Sequence, residues 1–273
     1  MRVTIDDGEL DVLDDGAGVA VVMLHGFPLS KETWDAQAAL LTSSARVVRI
    51  DLRGLGASRG GPGPYLMESL ASDVAAVLDA LGIERAVIVG HSLGTYVAYA
   101  FFRMFEERVL GLGLVSGRAD ADSPETAARR FAVAERIERD GMEPAAADWV
   151  RQFFAPAVYR ERPELVALAR RIVLATNADG AAAVLRGMAL RVAADDLFAH
   201  IAVPVLLVSG RFDTFATLDH QHAVGAAIRG ARVVALETGH VPLLEAPEAL
   251  AAQLARLVAE ARVTSAGGAV DQR

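Results

Sequence analysis

The chain has 273 residues, 53% of them hydrophobic, which is enough to bury one large core. These values argue against a repeat array, a coiled coil or a disordered chain. A formal net charge of −8 argues against nucleic acid or an anionic membrane surface as the main partner, and the lack of cysteine excludes disulfides, a thiolate nucleophile and cysteine-bound metals. The amino terminus has no basic head before an apolar run, and no stretch reaches transmembrane length, so the sequence predicts a soluble, cytoplasmic protein.

Short apolar, β-branched runs alternate with longer helical stretches, which is typical of a parallel sheet with crossover helices. Several of the runs are unbroken Val, Ile and Leu, as expected for strands buried on both faces. The sequence therefore predicts an α/β fold with eight strands. These strands are Arg2–Ile5, Glu9–Leu13, Val19–Leu24, Val47–Ile50, Ala86–Gly90, Leu110–Val115, Val203–Ser209 and Arg232–Leu236.

Helices are predicted between these strands at Trp34–Leu41, Met67–Leu81, Ser92–Phe105, Asp219–Ile228 and Pro247–Glu260. Strand signals are absent over residues 117–200, which contain proline and glycine breaks and are too long for a loop. We expect four or five helices there, forming a cap inserted after the sixth strand. The core domain is then residues 1–116 and 201–261, and residues 262–273 are predicted to be a frayed, disordered tail because they have no periodic apolar face.

Residues 90–94 read Gly-His-Ser-Leu-Gly and match the pattern G-x-S-x-G between a predicted strand and a predicted helix. A tight strand-to-helix turn needs small flanking residues, which Gly90 and Gly94 provide. Such a turn exposes the Ser92 hydroxyl above the carboxyl ends of the strands and places the Leu93 N–H at a helix start. Ser92 is therefore the candidate nucleophile; the alternative interpretation is an ordinary helix cap.

A serine nucleophile needs a base and a third group that orients the base. Asp213 and His240 each lie in the loop after an apolar run, and the order Ser, Asp, His is the one expected after this type of turn. We interpret His240 as the base and Asp213 as the orienting acid. Asp213 could instead be a turn residue, His240 could cap the following helix, and Asp120 is the rival acid.

The loop after the third strand reads His-Gly-Phe-Pro over residues 25–28. Gly26 allows the chain to approach the site closely, and Pro28 has no N–H to donate. We therefore expect the backbone N–H groups of Phe27 and Leu93 to form an oxyanion hole. The alternative interpretation of this tetrapeptide is a simple turn.

Together these motifs resemble the signature series of the α/β-hydrolase superfamily over residues 1–260. Within it, the chain is similar to small bacterial carboxylesterases, cofactor-free haloperoxidases or perhydrolases, and 3-oxoadipate enol-lactonases. The resemblance implies an α/β-hydrolase fold with a mostly parallel eight-stranded sheet and a helical cap after strand 6, and makes residues 51–58 a structural turn. The motifs are residues 25–28, 51–58, 90–94, 210–213, 239–240 and 243–248.

Serine at the turn favours acyl chemistry, because related dehalogenases and epoxide hydrolases use aspartate there. The leading hypothesis is a carboxylesterase for small to medium acyl chains that works through an acyl-serine. Lactonase, carbon–carbon bond hydrolase and perhydrolase activities use the same residues, and a slow-turnover small-molecule receptor is the remaining alternative. No cofactor motif is found, so we expect a small-molecule ester substrate and no cofactor; the oligomeric state is not predicted.

The remaining polar and aromatic residues of interest receive structural interpretations. His220 and His222 point to different faces of a helix, so we expect no metal site there. His200 is interpreted as a helix-end residue. Five large side chains are predicted to form the core of the cap rather than the substrate wall, although some must face Ser92. These are Phe131, Trp149, Phe153, Phe154 and Met188.

Overall fold

The strands form one sheet in the computed structural model, which describes residues 1–267. The sheet order is β1-β2-β4-β3-β6-β7-β8-β9, with β5 paired to β2. In this order, each strand from β4 to β9 is parallel to its neighbour. Strand β2 is antiparallel to β1, β4 and β5. The strands are β1 (Arg2–Ile5), β2 (Gly8–Gly16), β3 (Ala20–Leu24), β4 (Arg46–Ile50), β5 (Arg59–Gly60), β6 (Ala86–His91), β7 (Val109–Val115), β8 (Val205–Gly210) and β9 (Arg232–Leu236).

The predicted α/β fold class is confirmed, but the sheet has nine strands in the described chain rather than eight. The additional strand, β5, has two residues, too few for an alternating or continuous apolar pattern to reveal it. It forms because the chain after β4 returns alongside β2, where Gly60 pairs with Gly8 and Arg59 with Glu9.

Eleven α-helices flank the sheet or lie between β7 and β8 within residues 1–267. The five from α4 to α8 fall inside residues 117–200, and we refer to this segment as the helical insertion. The helices are α1 (Asp35–Leu41), α2 (Met67–Ala80), α3 (Leu93–Met104), α4 (Pro124–Asp140), α5 (Glu143–Phe153), α6 (Val158–Glu161), α7 (Pro163–Ala175), α8 (Ala178–Ala189), α9 (Leu218–Ala227), α10 (Pro242–Glu245) and α11 (Pro247–Gly267).

Local sequence explains how the insertion is divided into helices. Ser123 caps α4 by accepting a hydrogen bond from the N–H of Thr126, and Asn177 caps α8 in the same way. Pro124 and Pro163 occupy the first position of their helices, where the missing N–H carries no penalty. These two proline breaks in the sequence are therefore helix starts.

The last helix is longer than predicted. The periodic apolar face predicts an end at Glu260, but α11 continues to Gly267, six residues into the predicted tail. Ala261 is fully buried, and the Arg262 guanidinium donates a hydrogen bond to the carbonyl oxygen of Ser44, so tertiary contacts extend the helix. The tail prediction for residues 268–273 lies outside the described residues.

The buried centre of the sheet fixes the position of the loops that follow it. Every residue of β3, β6 and β7 is buried, and α3 packs against all three strands. Because these strands and β8 are parallel, their carboxyl ends lie at one edge of the sheet, where ligands bind in open α/β folds. Over residues 1–267, no helix combines the length and apolar character needed to cross a membrane; a cytoplasmic location stays a prediction.

The turn after β4 has the structural role that the resemblance implies. The Asp51 carboxylate is buried and accepts hydrogen bonds from the Lys31 N–H, the Lys31 ammonium group and the Ala57 N–H. The Ser58 hydroxyl donates to the Asp51 carbonyl oxygen at 2.6 Å. Since these contacts tie the turn to itself and to the loop after β3, they account for Asp51 without a catalytic role.

Candidate active site

The turn between β6 and α3 carries Ser92 in a strained backbone conformation. Ser92 has φ of 50° and ψ of −110°, an uncommon region for any residue with a side chain. A Cβ added to Gly90 would overlap the backbone of Gly94, and one added to Gly94 would overlap Leu24. Both glycines are therefore required by close packing, which is the geometry that the G-x-S-x-G pattern predicts.

The structure brings the three predicted polar side chains together. His240 Nε2 lies 2.9 Å from Ser92 Oγ, while His240 Nδ1 lies 3.0 and 2.9 Å from the two carboxylate oxygens of Asp213. His240 and Asp213 are each 5% exposed, whereas Ser92 is half-buried. With the Nδ1 proton directed at Asp213, Nε2 is free to accept the serine proton.

The surroundings of Asp213 keep its carboxylate ionised. Burial by itself would raise the pKa of Asp213, but His240 and the backbone N–H groups of Phe215 and Ala216 together hold the pKa below its ordinary value. Backbone N–H groups of Phe215 and Ala216 also donate to its Oδ1, at 2.8 and 3.0 Å. The negative charge that orients the imidazole is therefore fixed in place.

Asp120, the alternative candidate for the orienting acid, is paired with residues other than His240. Asp120 lies 2.5 Å from Arg118 and 3.5 Å from His220 Nε2, and His240 is bonded to Asp213 instead. His220 Nε2 also accepts the N–H of Ala119 at 3.2 Å. The structure therefore places Asp120 in an ion pair on the wall of the site, away from the Ser92 relay.

The two predicted oxyanion donors belong to segments that lie beside Ser92. Leu93 is the first residue of α3, where a backbone N–H has no partner within the helix. A Cβ built on Gly26 would lie 3.2 Å from Ser92 Cβ, so the loop carrying Phe27 passes directly beside the serine. Within residues 1–267, neither the Phe27 nor the Leu93 N–H donates a hydrogen bond, so both are free to bind a ligand oxygen.

His91, which the sequence analysis did not single out, is bonded to the backbone of His240. His91 is fully buried, and its Nε2 donates to the carbonyl oxygen of His240 at 2.7 Å. Burial, reinforced by the nearby His240, lowers the pKa of His91 to about 3. His91 is therefore neutral in ordinary buffers and holds the backbone of the candidate base.

Glu245 is another supporting residue that sequence reasoning did not assign, although it lies within the quoted motif at residues 243–248. Its carboxylate is 8% exposed and accepts hydrogen bonds from the Gly239 N–H at 2.8 Å and the Ala155 N–H at 2.9 Å. The His240 N–H in turn donates to the Phe153 carbonyl oxygen at 2.7 Å. The loop that carries His240 is thus bonded to the end of α5 in the helical insertion.

Replacing Glu245 with alanine tests this link. The change leaves the N–H groups of Gly239 and Ala155 buried without an acceptor, at about 1 to 3 kcal/mol each. We expect Glu245→Ala to lower the free energy of unfolding by on the order of 3 kcal/mol in urea titrations. The matched control, Glu248→Ala, removes an exposed carboxylate three residues away; an equal loss of stability in both variants would contradict the assignment.

A cavity of about 390 Å³ opens onto Ser92 and His240. This volume is within the range of small-molecule sites. Trp149, Phe153 and Met188 line it, as expected for some of the five large side chains, so the preference for the cap core over the substrate wall is wrong for these three. Phe131 and Phe154 are not part of the wall. Trp149 and Phe153 on α5 and Met188 on α8 face the cavity. Helical spacing shows that a residue is buried, but it does not show whether the residue faces other helices of the insertion or the cavity.

Comparison with known families agrees with the fold. Residues 19–247 match the family model of the alpha/beta hydrolase fold, which is more than half of the chain. The protein is therefore an enzyme of the hydrolase class. It belongs to the α/β-hydrolase superfamily, as the sequence motifs predicted.

The chain is similar over most of its length to one curated relative and to two solved structures. The chain is 30% identical over 262 residues to a putative 2-succinyl-6-hydroxy-2,4-cyclohexadiene-1-carboxylate synthase of Bacillus subtilis, covering 90% of this chain and 94% of the relative. Among solved structures, a malate-bound thermophilic esterase from Thermogutta terrifontis has a TM-score of 0.93 and 33% identity, with 96% and 98% of the two chains covered. The enol-lactonase from Burkholderia xenovorans has a TM-score of 0.89 and 27% identity, covering 95% of this chain and all of the other.

Proposed function

We propose that the protein is a carboxylic ester hydrolase that cleaves esters of small to medium acyl chains through an acyl-serine intermediate. The observation that carries this proposal is the continuous hydrogen-bonded relay from Asp213 through His240 to Ser92 Oγ, positioned on a strained turn that opens into the cavity. Its catalytic residues are Ser92, His240 and Asp213, and its oxyanion donors are the N–H groups of Phe27 and Leu93.

In the first half-reaction, Ser92 Oγ attacks the ester carbonyl carbon while His240 Nε2 accepts the hydroxyl proton. The carbonyl oxygen becomes an oxyanion, which the N–H groups of Phe27 and Leu93 stabilise. The carbon–oxygen bond to the alcohol then breaks, and His240 returns the proton to the leaving alkoxide. The product is an acyl-serine and a free alcohol.

In the second half-reaction, water attacks the acyl carbon and gives its proton to His240. The tetrahedral intermediate collapses, Ser92 Oγ leaves and regains the proton, and the carboxylic acid is released. Asp213 stays ionised throughout and stabilises the imidazolium that forms twice per cycle. No step requires a metal ion or cofactor in this scheme.

The helical insertion has the role of a cap in this proposal. Residues 1–116 and 201–261 form the hydrolase core, and residues 117–200 cover Ser92. Trp149, Phe153 and Met188 supply the apolar wall, and the ring of Trp149 packs edge-on against Phe27 at 5.2 Å between centroids. The cavity volume of about 390 Å³ favours a small or medium acyl group over a long lipid chain.

Lactone hydrolysis is the second candidate, favoured by the similarity to the Burkholderia enol-lactonase over 95% of the chain. The same residues would act, but the leaving alkoxide would stay covalently attached to the acyl group. The Thermogutta esterase, which is 33% identical to this chain against 27% for the enol-lactonase, favours the open-chain ester.

The test is hydrolysis of p-nitrophenyl esters of acyl length two to twelve without added metal, with small lactones assayed in parallel. We expect turnover with an optimum at short or medium chains, since the cavity holds about 390 Å³. Turnover of lactones alone would replace the first candidate with the second. A folded protein that cleaves neither class would contradict the proposed function.

A further inference from the structure

The cavity beside Ser92 is more positively charged than the protein as a whole. The chain carries a formal net charge of −8, yet the cavity wall contains three arginines and only two carboxylates. They are Arg118, Arg129, Arg130, Asp120 and Asp122. A locally positive, partly enclosed site in an acidic protein concentrates anionic ligands.

Two of the arginines are already paired. Arg118 lies 2.5 Å from Asp120, and Arg130 lies 2.5 Å from Asp122. Asp122 also lies 2.7 Å from the buried Arg191, so one carboxylate is shared by two guanidinium groups. Each aspartate of the wall is thus matched by an arginine of the wall, and the excess of positive charge there comes from the third arginine.

The third arginine has no protein partner. Arg129 lies on α4, is exposed, and forms no ion pair or side-chain hydrogen bond with any residue in the described range 1–267. It lines both the cavity and an adjoining groove of about 480 Å³, together with Thr126 and Trp149 on the insertion and Thr214 and Phe215 on the loop after β8. Arg129 is thus located where the cavity opens, with its charge available to a ligand.

From this arrangement we propose that the natural substrate carries a carboxylate in addition to the ester or lactone that is cleaved, and that Arg129 binds this carboxylate at the cavity mouth. The proposal rests on the proposed function and deepens it by naming a substrate class. Ser92 attacks the ester carbonyl deep in the cavity while the guanidinium of Arg129 holds the distal anion. Charge-assisted hydrogen bonds of this kind set orientation as well as affinity.

The experiment compares matched anionic and neutral esters. On the acyl side the pair is mono-p-nitrophenyl adipate and p-nitrophenyl 6-methylheptanoate; on the alcohol side it is 4-carboxyphenyl butyrate and 4-carbamoylphenyl butyrate. The readout is the anionic-to-neutral ratio of kcat/KM within each pair, for wild type and Arg129→Gln. We expect the ratio for at least one pair to fall about tenfold in the variant, mainly through KM, and the wild-type ratio to fall as salt screens the contact.

The matched control is Arg229→Gln, which removes another exposed arginine that lies after α9, outside the cavity. We expect it to leave both ratios as in wild type. Unchanged ratios in Arg129→Gln, or an equal loss for both members of each pair, would overturn the proposal while turnover of the neutral esters still supported the proposed function.

If ester turnover is absent, a binding measurement tests the carboxylate site at Arg129 independently of the proposed hydrolase activity. Calorimetric titration of adipate into Ser92→Ala protein, with and without Arg129→Gln, reports the carboxylate site directly. Binding that weakens several-fold on loss of Arg129 supports the site whatever the reaction. Equal affinity, or no binding in either protein, overturns it.

Discussion

Ser92→Ala is expected to lower kcat for p-nitrophenyl ester hydrolysis by at least about 10⁴-fold, since serine hydrolases lose this much or more when the nucleophile is removed. The small residual rate comes from the oxyanion donors and substrate binding, which the substitution leaves in place. KM is expected to change little, because Ser92 makes its bond to the substrate in the transition state. The measurement is steady-state kinetics, with unfolding in urea confirming that the variant is folded.

The matched control for this variant is Ser116→Ala. Ser116 follows the neighbouring strand β7, has a positive φ of 49° like Ser92, and belongs to the same cavity wall. Its hydroxyl is buried with no hydrogen-bond partner in residues 1–267, whereas the Ser92 hydroxyl is bonded to His240. We expect a far smaller loss of kcat than in Ser92→Ala; comparable losses would show that any serine change at this sheet edge disrupts the site.

Asp213→Asn is expected to lower kcat by about 10⁴-fold, as the equivalent change does in a serine protease. The amide has nearly the same shape, but it removes the negative charge next to Nδ1 and can donate a proton there, which favours the wrong imidazole tautomer. The loss should therefore appear in kcat more than in KM. Kinetics over pH 6 to 9 provide the measurement.

Asp120→Asn is the control for the acid, because Asp120 is the alternative that the sequence left open. It removes a carboxylate from the same cavity but leaves the bonds between His240 and Asp213 intact. We expect a minor change in kcat for neutral esters. A greater loss in Asp120→Asn than in Asp213→Asn would reassign the orienting acid.

The pH dependence of stability gives an independent check on Asp213. Its pKa is lower in the folded protein than the ordinary value of 3.8, so its ionised form stabilises the fold. This contribution is fully present above pH 3.8 and is lost as the pH falls through the lower folded value. The acid limb of the stability curve should therefore be shallower in Asp213→Asn than in wild type.

The fold class and the positions of Ser92, Asp213 and His240 could be predicted because each depends on a local pattern. An apolar, β-branched run predicts a buried strand, and a polar residue directly after a parallel strand lies at the sheet edge where the others also lie. The G-x-S-x-G motif adds a backbone requirement that only small residues satisfy. The catalytic roles themselves stay predictions until the variants are measured.

The supporting residues could not be predicted, because their roles depend on contacts between distant segments. Glu245 binds the Ala155 N–H across 90 residues, and His91 binds the His240 carbonyl across 149. Arg129 is one of many arginines in the chain, and only the packing of α4 over the sheet edge distinguishes it. For the same reason, the sequence could not show that Trp149, Phe153 and Met188 line the cavity rather than only the core of the cap.

In the proposed mechanism, Ser92 forms the covalent intermediate. The most direct measurement is peptide mass spectrometry after reaction with a fluorophosphonate, which phosphonylates an activated serine, with residual esterase activity followed in parallel. We expect one label per chain, located on Ser92, with activity lost in proportion to labelling and no label in Ser92→Ala or after His240→Ala. Full inactivation with the label on another residue, or full labelling of Ser92 with activity retained, would contradict it.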